Sequence, residues 1–514
     1  MNTVRAHIDD RAKKMGEACF LISPEIGSEL SFGSLQKSAD QIEIYLTKLG
    51  VKFGDKVAFL MTNGLWTTTL FLGAMYSGRV VVPLNAVCGS DQLTYVIDHC
   101  DAKVLFVERE LQEKYKVVFD GLANDIEVIF ACRNNGPIWP IDKIVAPNKV
   151  NVEVDIQPEN DALLIYTSGT TGRPKGVLLT HKSVIAGGMN TVLSHQLTQN
   201  DRALCILQLY HINGEMVTVM GPLVSGSSVV MPNKFSITDF WSLIDQWQCS
   251  WFSVVPTIIA YLLEQSERLK DPICLSSDRP QLRFGRSASA PLSPEMHRQF
   301  ERQFAVAIVE TMGLSETAAQ ILSNPMPPGI IKYGSPGIAI GNEAMIIDKS
   351  GNKQKNNLSG ELMIRGDNVM KEYYKNPETT ASTLRPDGWL HTGDLAYVDE
   401  DGYYFITGRL KEIIIKGGEN IAPREIDEAL YQHSAVLEAA AFAIPDKHFG
   451  QEVFACVSLK SGAKCTAEEL RNLCIEKLGK FKSPKKITFM DELPKGPSGK
   501  IQRLKLSEAA IAGA

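Results

Sequence analysis

Residues 166–176 read YTSGTTGRPKG and directly follow the apolar run ALLI. Glycine permits backbone conformations that other residues avoid, hydroxyls and main-chain N–H groups donate hydrogen bonds, and lysine supplies a positive charge. This combination suits the binding of a phosphate chain. The Walker motif GxxxxGK[ST] is excluded, because Lys175 comes three residues after Gly172 and no Ser or Thr follows it. A flexible surface hairpin is the alternative reading, but four hydroxyl residues within 167–171 are more than a turn needs.

The size and charge of the chain restrict its class. It has 514 residues, of which 44% are hydrophobic and 22% are charged, so it exceeds one hydrophobic core and two or more domains are expected. The net charge is -6, from 53 basic and 59 acidic residues. This balance removes the broad attraction to nucleic acid or anionic lipid that a basic chain has, so we expect no nucleic-acid partner. A polyanionic ligand would need a local basic site.

Cysteine usage and hydropathy point to a cytoplasmic protein. The most closely spaced of the ten cysteines, at 456, 465 and 474, are nine residues apart, so no CxxC metal or redox motif exists. We interpret them as reduced thiols. The first residues contain no signal-peptide core, and the most apolar stretch, LFLGAMYSGRVVVPL, is interrupted by Arg79 and Pro83. We therefore expect no membrane span.

Short β-rich runs alternate with helix-like stretches in the first part of the chain. The runs lie at 56–61, 79–84, 102–107 and 127–132, and the clearest helical stretch is 34–50. This alternation predicts α/β architecture with largely parallel sheets. From residue 409 onward, short strand-like runs and two helical stretches predict a separate α+β unit of about a hundred residues, close to a usual domain size.

Seven further segments follow the 166–176 loop in a fixed order. They are LYHINGE (209–215), GRSASAPL (285–292), MGLSET (312–317), GELMIRGDNVMKEYYKNPE (360–378), DGWLHTGD (387–394), GRLKEIIIKGGENI (408–421) and PKGPSGKIQR (494–503). In this order, over essentially the whole chain, they resemble the adenylate-forming (ANL) superfamily, which contains acyl-CoA synthetases, firefly luciferases and the adenylation domains of peptide synthetases. Each motif alone is weak, but the ordered set makes coincidence negligible.

The resemblance implies a fold and a reaction. The fold is a large N-terminal multi-sheet α/β domain over 1–408, a hinge over 409–411 and a small mobile C-terminal α+β domain over 412–514. In the implied reaction, a carboxylate attacks the α-phosphate of Mg-ATP, releases pyrophosphate and leaves an acyl-adenylate, from which the thiol of CoA takes the acyl group. We therefore expect an AMP-forming acyl-CoA synthetase that uses ATP, Mg2+, CoA and a small-molecule carboxylic acid of open identity, with 166–176 holding the β- and γ-phosphates.

The resemblance also assigns residues to the nucleotide. ATP presents about four negative charges and the attacking carboxylate adds another, so cations and oriented dipoles have to offset their repulsion. Lys500 matches the family lysine between α-phosphate and carboxylate, and Glu316 matches the Mg2+ ligand; a solvated tail lysine and a capping glutamate are the alternatives. The nucleotide-binding residues that the resemblance implies are Thr167, Ser168, Gly169, Thr170, Thr171, Gly172, Lys175, Ser287, Ala288, Ser289, Met312, Gly313, Ser315, Asp394 and Arg409.

Other matched positions concern the acid and the thiol. His211 matches a histidine beside the carboxyl group, Lys411 matches the hinge, and Gly417 and Gly418 match positions that leave room for the pantetheine arm of CoA. A core histidine and a simple turn are the alternative interpretations. The residues that we expect to line the acid pocket are Ile212, Asn213, Glu215, Gly285 and Arg286. Their polarity suits a short or functionalised acid, unless they point into the scaffold, so fatty, aryl and small polar acids stay open.

The chain departs from the family pattern at a few positions. Met312 stands where an aromatic residue is usual, Ser315 replaces a threonine, and the last motif reads PKGPSGK instead of PKTPSGK. None of these changes removes a charged catalytic group, which disfavours a non-catalytic ATP-sensing relative. An acyl-AMP ligase that loads a carrier protein and luciferase-type oxygenation stay as alternatives. The oligomeric state is open, with a homodimer as one option.

Overall fold

The protein is described from a computed structural model, which covers residues 2–122, 126–137, 155–167, 173–269, 279–496 and 501–512. The expected nucleotide-binding residues 168–172 and the expected catalytic Lys500 lie outside the described residues. None of the described helices combines the length and the apolar character that a membrane-crossing segment needs.

The helices follow ordinary capping rules. Thr180, for example, is the N-cap of a helix whose Ser183 N–H donates to the Thr180 hydroxyl at 3.2 Å. In chain order, the α-helices are α1 (Val4–Met15), α2 (Phe32–Lys48), α3 (Leu65–Tyr76), α4 (Ser90–Cys100), α5 (Lys116–Asp120), α6 (His181–His195), α7 (Gly221–Ser225), α8 (Phe240–Gln246), α9 (Pro256–Leu269), α10 (Pro294–Phe304), α11 (Pro377–Thr383), α12 (Pro423–Tyr431), α13 (Ala467–Leu478) and α14 (Arg503–Ala512). Single turns of 3-10 helix span Arg109–Leu111 and Ser315–Thr317, and a π-helical stretch spans Asn213–Met220.

The strands are mostly short. In chain order they are β1 (Cys19–Ser23), β2 (Ser28–Ser31), β3 (Lys56–Leu60), β4 (Val80–Pro83), β5 (Ala102–Glu108), β6 (Glu127–Cys132), β7 (Gly136–Pro137), β8 (Asp161–Thr167), β9 (Lys175–Thr180), β10 (Arg202–Cys205), β11 (Ser228–Val230), β12 (Trp251–Val254), β13 (Phe284–Ser287), β14 (Ile308–Leu314), β15 (Ala319–Ser323), β16 (Ile338–Ala339), β17 (Glu343–Ile347), β18 (Gly360–Arg365), β19 (Glu372–Tyr373), β20 (Leu390–Val398), β21 (Tyr404–Arg409), β22 (Ile414–Lys416), β23 (Glu419–Ile421), β24 (Val436–Asp446), β25 (Gly450–Leu459) and β26 (Lys486–Phe489).

Two largely parallel sheets form the body of the large domain. One has the strand order β16-β15-β14-β13-β12-β10-β11-β1-β2 and the other β19-β9-β8-β4-β3-β5-β6-β7. Their central strands, such as β4 and β12, are buried along their whole length, as parallel strands covered on both faces have to be. The first motif segments lie at the ends of these strands.

Helices fill the space between the two sheets and cover their outer faces. One apolar core joins both sheets with residues of α1, α2, α3, α6 and α7. Residues of α8, α9 and α10 pack on the other face of the first sheet, and residues of α4 and α5 on the other face of the second. The large domain is therefore layered α/β/α/β/α. An antiparallel sheet, β17-β18-β20-β21, packs on this body and leads to the small domain.

The small domain has its own core. Strands β22 to β26 form one sheet, against which α12 and α13 pack, and α14 contributes Leu506 to a second cluster on β24. Arg424 of α12 joins this unit to the large domain, since its guanidinium donates to the carbonyls of Ile406 and Gly334. The predicted fold class, a large multi-sheet α/β domain followed by a smaller α+β domain, is confirmed.

Candidate functional site

A cleft of about 1200 Å³ opens where the end of β8 and the start of β9 meet the beginning of the small domain. It brings together segments that are more than 240 residues apart in the chain. The predicted site residues that line it are Thr167, Lys175, His211, Ile212, Asn213, Ser289, Gly313, Ser315, Glu316, Arg409 and Lys411.

A second cavity of about 290 Å³ adjoins the cleft and lies between the domains. Ser289, Met312, Gly313, Asp394 and Arg409 line it, so both walls predicted for the adenine face this space. Ser287 and Ala288 are buried in the floor beneath.

Lysine side chains gather at one end of the cleft. Lys175 begins β9, pairs with Thr167 of β8, and places its ammonium 4.9 Å from the centre of the Tyr373 ring. Burial lowers the pKa of Lys175, and the nearby Lys411 ammonium lowers it further, whereas Glu316 opposes both effects. Two cations held this close favour an anionic ligand, because a phosphate would offset their repulsion.

Glu316 sits in a turn that is fixed on several sides. Its main-chain carbonyl accepts from the Met370 N–H at 2.8 Å, and its Oε1 accepts from the Tyr373 hydroxyl at 2.7 Å. Just before the turn, a side chain at Gly313 would lie 2.0 Å from the carbonyl oxygen of Ala319, so only glycine fits there. Tyr373 was not among the predicted site residues, although it lies within the motif segment 360–378.

Asp394 and Arg409 face each other on neighbouring strands. They are register partners in the β20–β21 pair, and Arg409 Nε lies 2.9 Å from Asp394 Oδ1. The Asp394 carboxylate raises the pKa of Arg409. The pair therefore presents a fixed carboxylate and a fixed guanidinium at the edge shared by both cavities.

The histidine end of the cleft is built on irregular backbone. His211 packs edge-on against Tyr210, with 4.7 Å between ring centres. Asn213 begins the π-helical stretch, and its amide donates to the Ser289 hydroxyl at 3.2 Å. Ser289 has a φ of 72°, a left-handed conformation that is costly for a residue other than glycine. Such strain clusters at functional sites, and here it marks the floor of the cleft.

Arg286 lies behind Asn213. Its Nη1 donates to Asn213 Oδ1 at 2.6 Å and to the Ser253 hydroxyl at 3.0 Å, and its Nε donates to Gln320 Oε1 at 3.2 Å. The side chain is 1% exposed, and no carboxylate of the described residues pairs with it. Burial lowers the pKa of Arg286 to about 9. Sequence reasoning missed Ser253 and Gln320, because strand pairing and tertiary packing create these contacts.

The structure places two other expected pocket residues behind the cleft wall. Glu215 is fully buried, and neither carboxylate oxygen has a hydrogen-bond partner among the described residues. Burial raises the pKa of Glu215 well above its usual value, which favours the neutral form of the group. Gly285 packs against the ring of Phe252, which a β-carbon would approach to 2.3 Å. Sequence analysis expected both residues on the pocket wall, but strand and helix geometry directs them into the scaffold.

The predicted hinge and CoA positions lie on the surface. Lys411 is exposed in a turn closed by the Glu412 N–H, which donates to the Arg409 carbonyl at 3.0 Å. Gly417 and Gly418 are exposed with φ values of 57° and 86°, which favour glycine. In the described part of the chain, neither glycine belongs to the lining of the two cavities.

Comparisons with known proteins show what this chain is similar to. The chain matches the family model for "AMP-binding enzyme" over residues 8–374 and that for "AMP-binding enzyme C-terminal domain" over 425–500. A sulfoacetate–CoA ligase of Cupriavidus necator is 44% identical over 508 residues, which are 98% of this chain and 97% of the relative. An oxalate–CoA ligase of Arabidopsis thaliana is 33% identical over 459 residues, 88% of each chain. The structure of ATP-bound MatB from Rhodopseudomonas palustris superposes with a TM-score of 0.89 at 28% identity, covering 99% of this chain and 98% of MatB.

Proposed function

Since the chain belongs to the AMP-binding enzyme family, as an ATP-dependent, AMP-forming acid–CoA ligase, we propose that its own substrate is a short carboxylic acid that carries a second anionic group. The second anionic group is a sulfonate or a carboxylate. The chemistry at the reacting carboxyl group is that of the family, so the proposal concerns the other end of the acid.

The observation that carries the proposal is the buried Arg286. A guanidinium taken out of water without a carboxylate partner is costly, and proteins rarely keep one unless a ligand supplies the missing charge. Its hydrogen-bond partner Asn213 lines the cleft next to Ile212 and Ser289. An acid whose reacting carboxyl group lies near His211 therefore needs only a short spacer to bring a second anion to Arg286.

The relatives support the same class of acid. Two of them are named for sulfoacetate and oxalate. Each of these acids has a second anionic group on a short carbon skeleton. The raised pKa of Glu215 is compatible with such a substrate, because burial disfavours the ionised carboxylate that would repel a second anion.

For the first half-reaction, we assign the nucleotide to the two cavities. Lys175 and the loop 168–172 hold the β- and γ-phosphates, Asp394 and Arg409 hold the ribose, and Lys500 bridges the α-phosphate and the attacking carboxylate. Glu316 holds Mg2+, whose charge, when it is bound, offsets that of the phosphates. One carboxylate suits this ion, which usually takes most of its other ligands from water and substrate phosphates.

For the second half-reaction, we assign the thiol to the same cleft after the small domain has turned. Rotation about Lys411 would bring Gly417 and Gly418 towards the cleft, where they leave room for the pantetheine arm. His211 lies beside the path of the thiol. The exposed glycines and the exposed residues Leu410 and Lys411 support this assignment, because surface positions are free to move between the two steps.

We also propose a cytoplasmic location and, as the assembly to test first, a homodimer. The cysteines that the structure describes carry free thiols, the state that a reducing compartment maintains. Cell fractionation and light scattering of the purified protein test these two statements.

A panel of acids tests the proposed substrate class. Pyrophosphate release and CoA-thioester formation would be measured with sulfoacetate, oxalate, malonate, acetate, hexanoate and benzoate under the same conditions. We expect kcat/KM for at least one of the three acids with a second anion to exceed that for acetate by about a hundredfold. Acetate cannot form the buried ion pair, and losing such a pair costs about 3 kcal/mol. Preference for hexanoate or benzoate would overturn the proposal.

A further inference from the structure

One face of α4 contacts the chain on both sides of the segment 168–172. His99 Nδ1 lies 2.7 Å from the hydroxyl of Tyr166, one residue before the end of β8. One helical turn earlier, the ring of Tyr95 lies 5.4 Å from the guanidinium of Arg173, just before β9. The rings of Tyr95 and His99 also contact each other, with 5.4 Å between their centres.

The same helix end anchors a third segment of the site. Asp101 accepts from the Tyr374 hydroxyl and from Lys375 Nζ at 2.7 Å each, and Lys375 Nζ also donates to the His99 carbonyl at 3.0 Å. The Tyr374 N–H in turn donates to the Gly176 carbonyl of β9 at 2.8 Å. The neighbouring residue Tyr373 points the other way and donates to Glu316.

We propose that Tyr95 and His99 are positioning residues for ATP: they fix the ends of β8 and β9, and thereby Thr167 and Lys175, relative to the strand that carries Tyr373. Neither residue belongs to the motifs that identify the family in this chain. The inference rests on the assignment of Lys175 to the phosphates, but it is independent of the identity of the acid.

The direction of the His99–Tyr166 hydrogen bond depends on the protonation state of the imidazole. Burial and the Lys375 ammonium lower the pKa of His99, whereas Asp101 opposes this shift. The other titratable residues that face the ring are Tyr95, Tyr166 and Tyr374, whose aromatic rings contact the imidazole. In the neutral ring, Nδ1 accepts from the Tyr166 hydroxyl when Nε2 carries the proton. Protonation makes both ring nitrogens donors, so Nδ1 can then only donate to the Tyr166 oxygen, and the direction of the hydrogen bond reverses as the pH falls through the pKa of His99.

Three single variants and one double variant test the proposal. His99→Phe keeps a ring and removes the acceptor, Tyr166→Phe keeps a ring and removes the donor, and His99→Asn keeps an acceptor near the Nδ1 position but does not titrate. The measurement is the Kd of Mg-ATP for the full-length enzyme by titration calorimetry, which needs no acid. Thermal unfolding of each variant verifies that it is folded.

We expect His99→Phe and Tyr166→Phe each to weaken ATP binding about tenfold, the usual effect of leaving one buried hydrogen-bonding group unpaired. The double variant, His99→Phe with Tyr166→Phe, should bind Mg-ATP no more weakly than either single variant. The Kd of His99→Asn should stay within about threefold of the wild-type Kd. Additive losses in the double variant, or an unchanged Kd in both Phe variants, would overturn the proposal.

The pH dependence gives a readout that a purely structural role does not move. The ratio of the wild-type Kd to the His99→Asn Kd cancels the titration of ATP itself. We expect this ratio to be constant from pH 7 to 8 and to rise below about pH 6.5, the ordinary pKa of histidine. A ratio that stays constant down to pH 5 would contradict the role of the neutral imidazole. Failure of the acid panel with normal ATP binding would affect only the proposed substrate.

Discussion

Replacing Arg286 by methionine removes the charge that we assign to the second anion and keeps most of the side-chain volume. The guanidinium uses Nε and Nη1 for Gln320, Asn213 and Ser253, and among the described residues no hydrogen bond is made by Nη2, the nitrogen that we assign to the ligand. Two unit charges about 4 Å apart interact by about 4 kcal/mol at an effective dielectric constant near 20. Because Arg286 is 1% exposed, solvent screens this interaction little.

The size of the effect follows from this ion pair. Breaking a buried pair costs about 3–5 kcal/mol, and the lower value corresponds to about 150-fold in kcat/KM. We expect Arg286→Met to lower kcat/KM for sulfoacetate by about that factor and to change kcat/KM for acetate by less than about threefold. Pyrophosphate release in a coupled assay measures both acids in the same enzyme preparation, and Arg286→Lys, which keeps the charge but loses the fork geometry, should fall between the two.

The pH profile provides an independent check. The pKa of Arg286 is about 9, and only the protonated guanidinium attracts an anion. Therefore kcat/KM for sulfoacetate should fall as the pH rises through about 9, whereas acetate should show no such limb that depends on Arg286. Equal losses for both acids in Arg286→Met would make Arg286 a scaffold residue and refute the reasoning, and so would an unchanged rate with sulfoacetate.

Three further variants test the assignments around the nucleotide and the hinge. Lys500→Ala should abolish adenylate formation but leave thioester formation from a supplied acyl-adenylate largely intact. Rapid-quench kinetics measure the two steps separately, and an equal loss of rate in both would show that Lys500 does not act in adenylate formation alone. Glu316→Gln should raise the Mg2+ concentration needed for half-maximal pyrophosphate release, because an amide binds a hard cation less well, and an unchanged titration would leave Glu316 as a capping residue. Lys411→Pro should still release pyrophosphate in a single turnover and accumulate bound acyl-adenylate, with thioester formation reduced by orders of magnitude, because proline fixes φ and removes the N–H. Lys411→Ala is the matched control, and a proline variant slowed equally in both steps would contradict the hinge.

Much of the fold could be predicted from the sequence, because the patterns that indicate helices and strands are local. The runs 102–107 and 127–132 correspond to β5 and β6 within one residue, and the helical stretch 34–50 corresponds to α2 at Phe32–Lys48. Buried parallel strands read as continuous apolar runs and helices as periodic ones, so short windows of sequence suffice. The change of pattern near residue 409 likewise precedes a unit with its own core.

Residues of the candidate site could be predicted from the sequence only where they belong to one contiguous motif. The environment of Arg286 depends on Asn213 and Gln320, which are 73 and 34 residues away in the chain. Successive residues of a strand point to opposite faces, so Gly285 and Arg286 cannot both line one pocket wall. A sequence alone gives neither the register of β13 nor the π-helical stretch that carries Glu215, so Gly285, Arg286 and Glu215 were expected on the cleft wall but do not belong to its described lining.

The contacts of α4 are hidden for a related reason. His99 and Tyr95 carry no motif of their own, and their partners Tyr166 and Arg173 become neighbours of one helix face only when β8 and β9 lie beside β4. Their one available signal is the spacing of four residues, which places two aromatic rings on one side of a helix. That spacing is as common in cores as in sites.

A competition experiment tests the central claim, that this ligase selects a short acid with a second anionic group, most directly. The wild-type enzyme would receive ATP, Mg2+, CoA and equal concentrations of sulfoacetate, oxalate, acetate and hexanoate, and the CoA thioesters would be separated and quantified by mass spectrometry. We predict that the thioester of sulfoacetate or oxalate exceeds acetyl-CoA and hexanoyl-CoA by about a hundredfold, the ratio that one buried ion pair supplies. Predominance of acetyl-CoA or hexanoyl-CoA would contradict the claim.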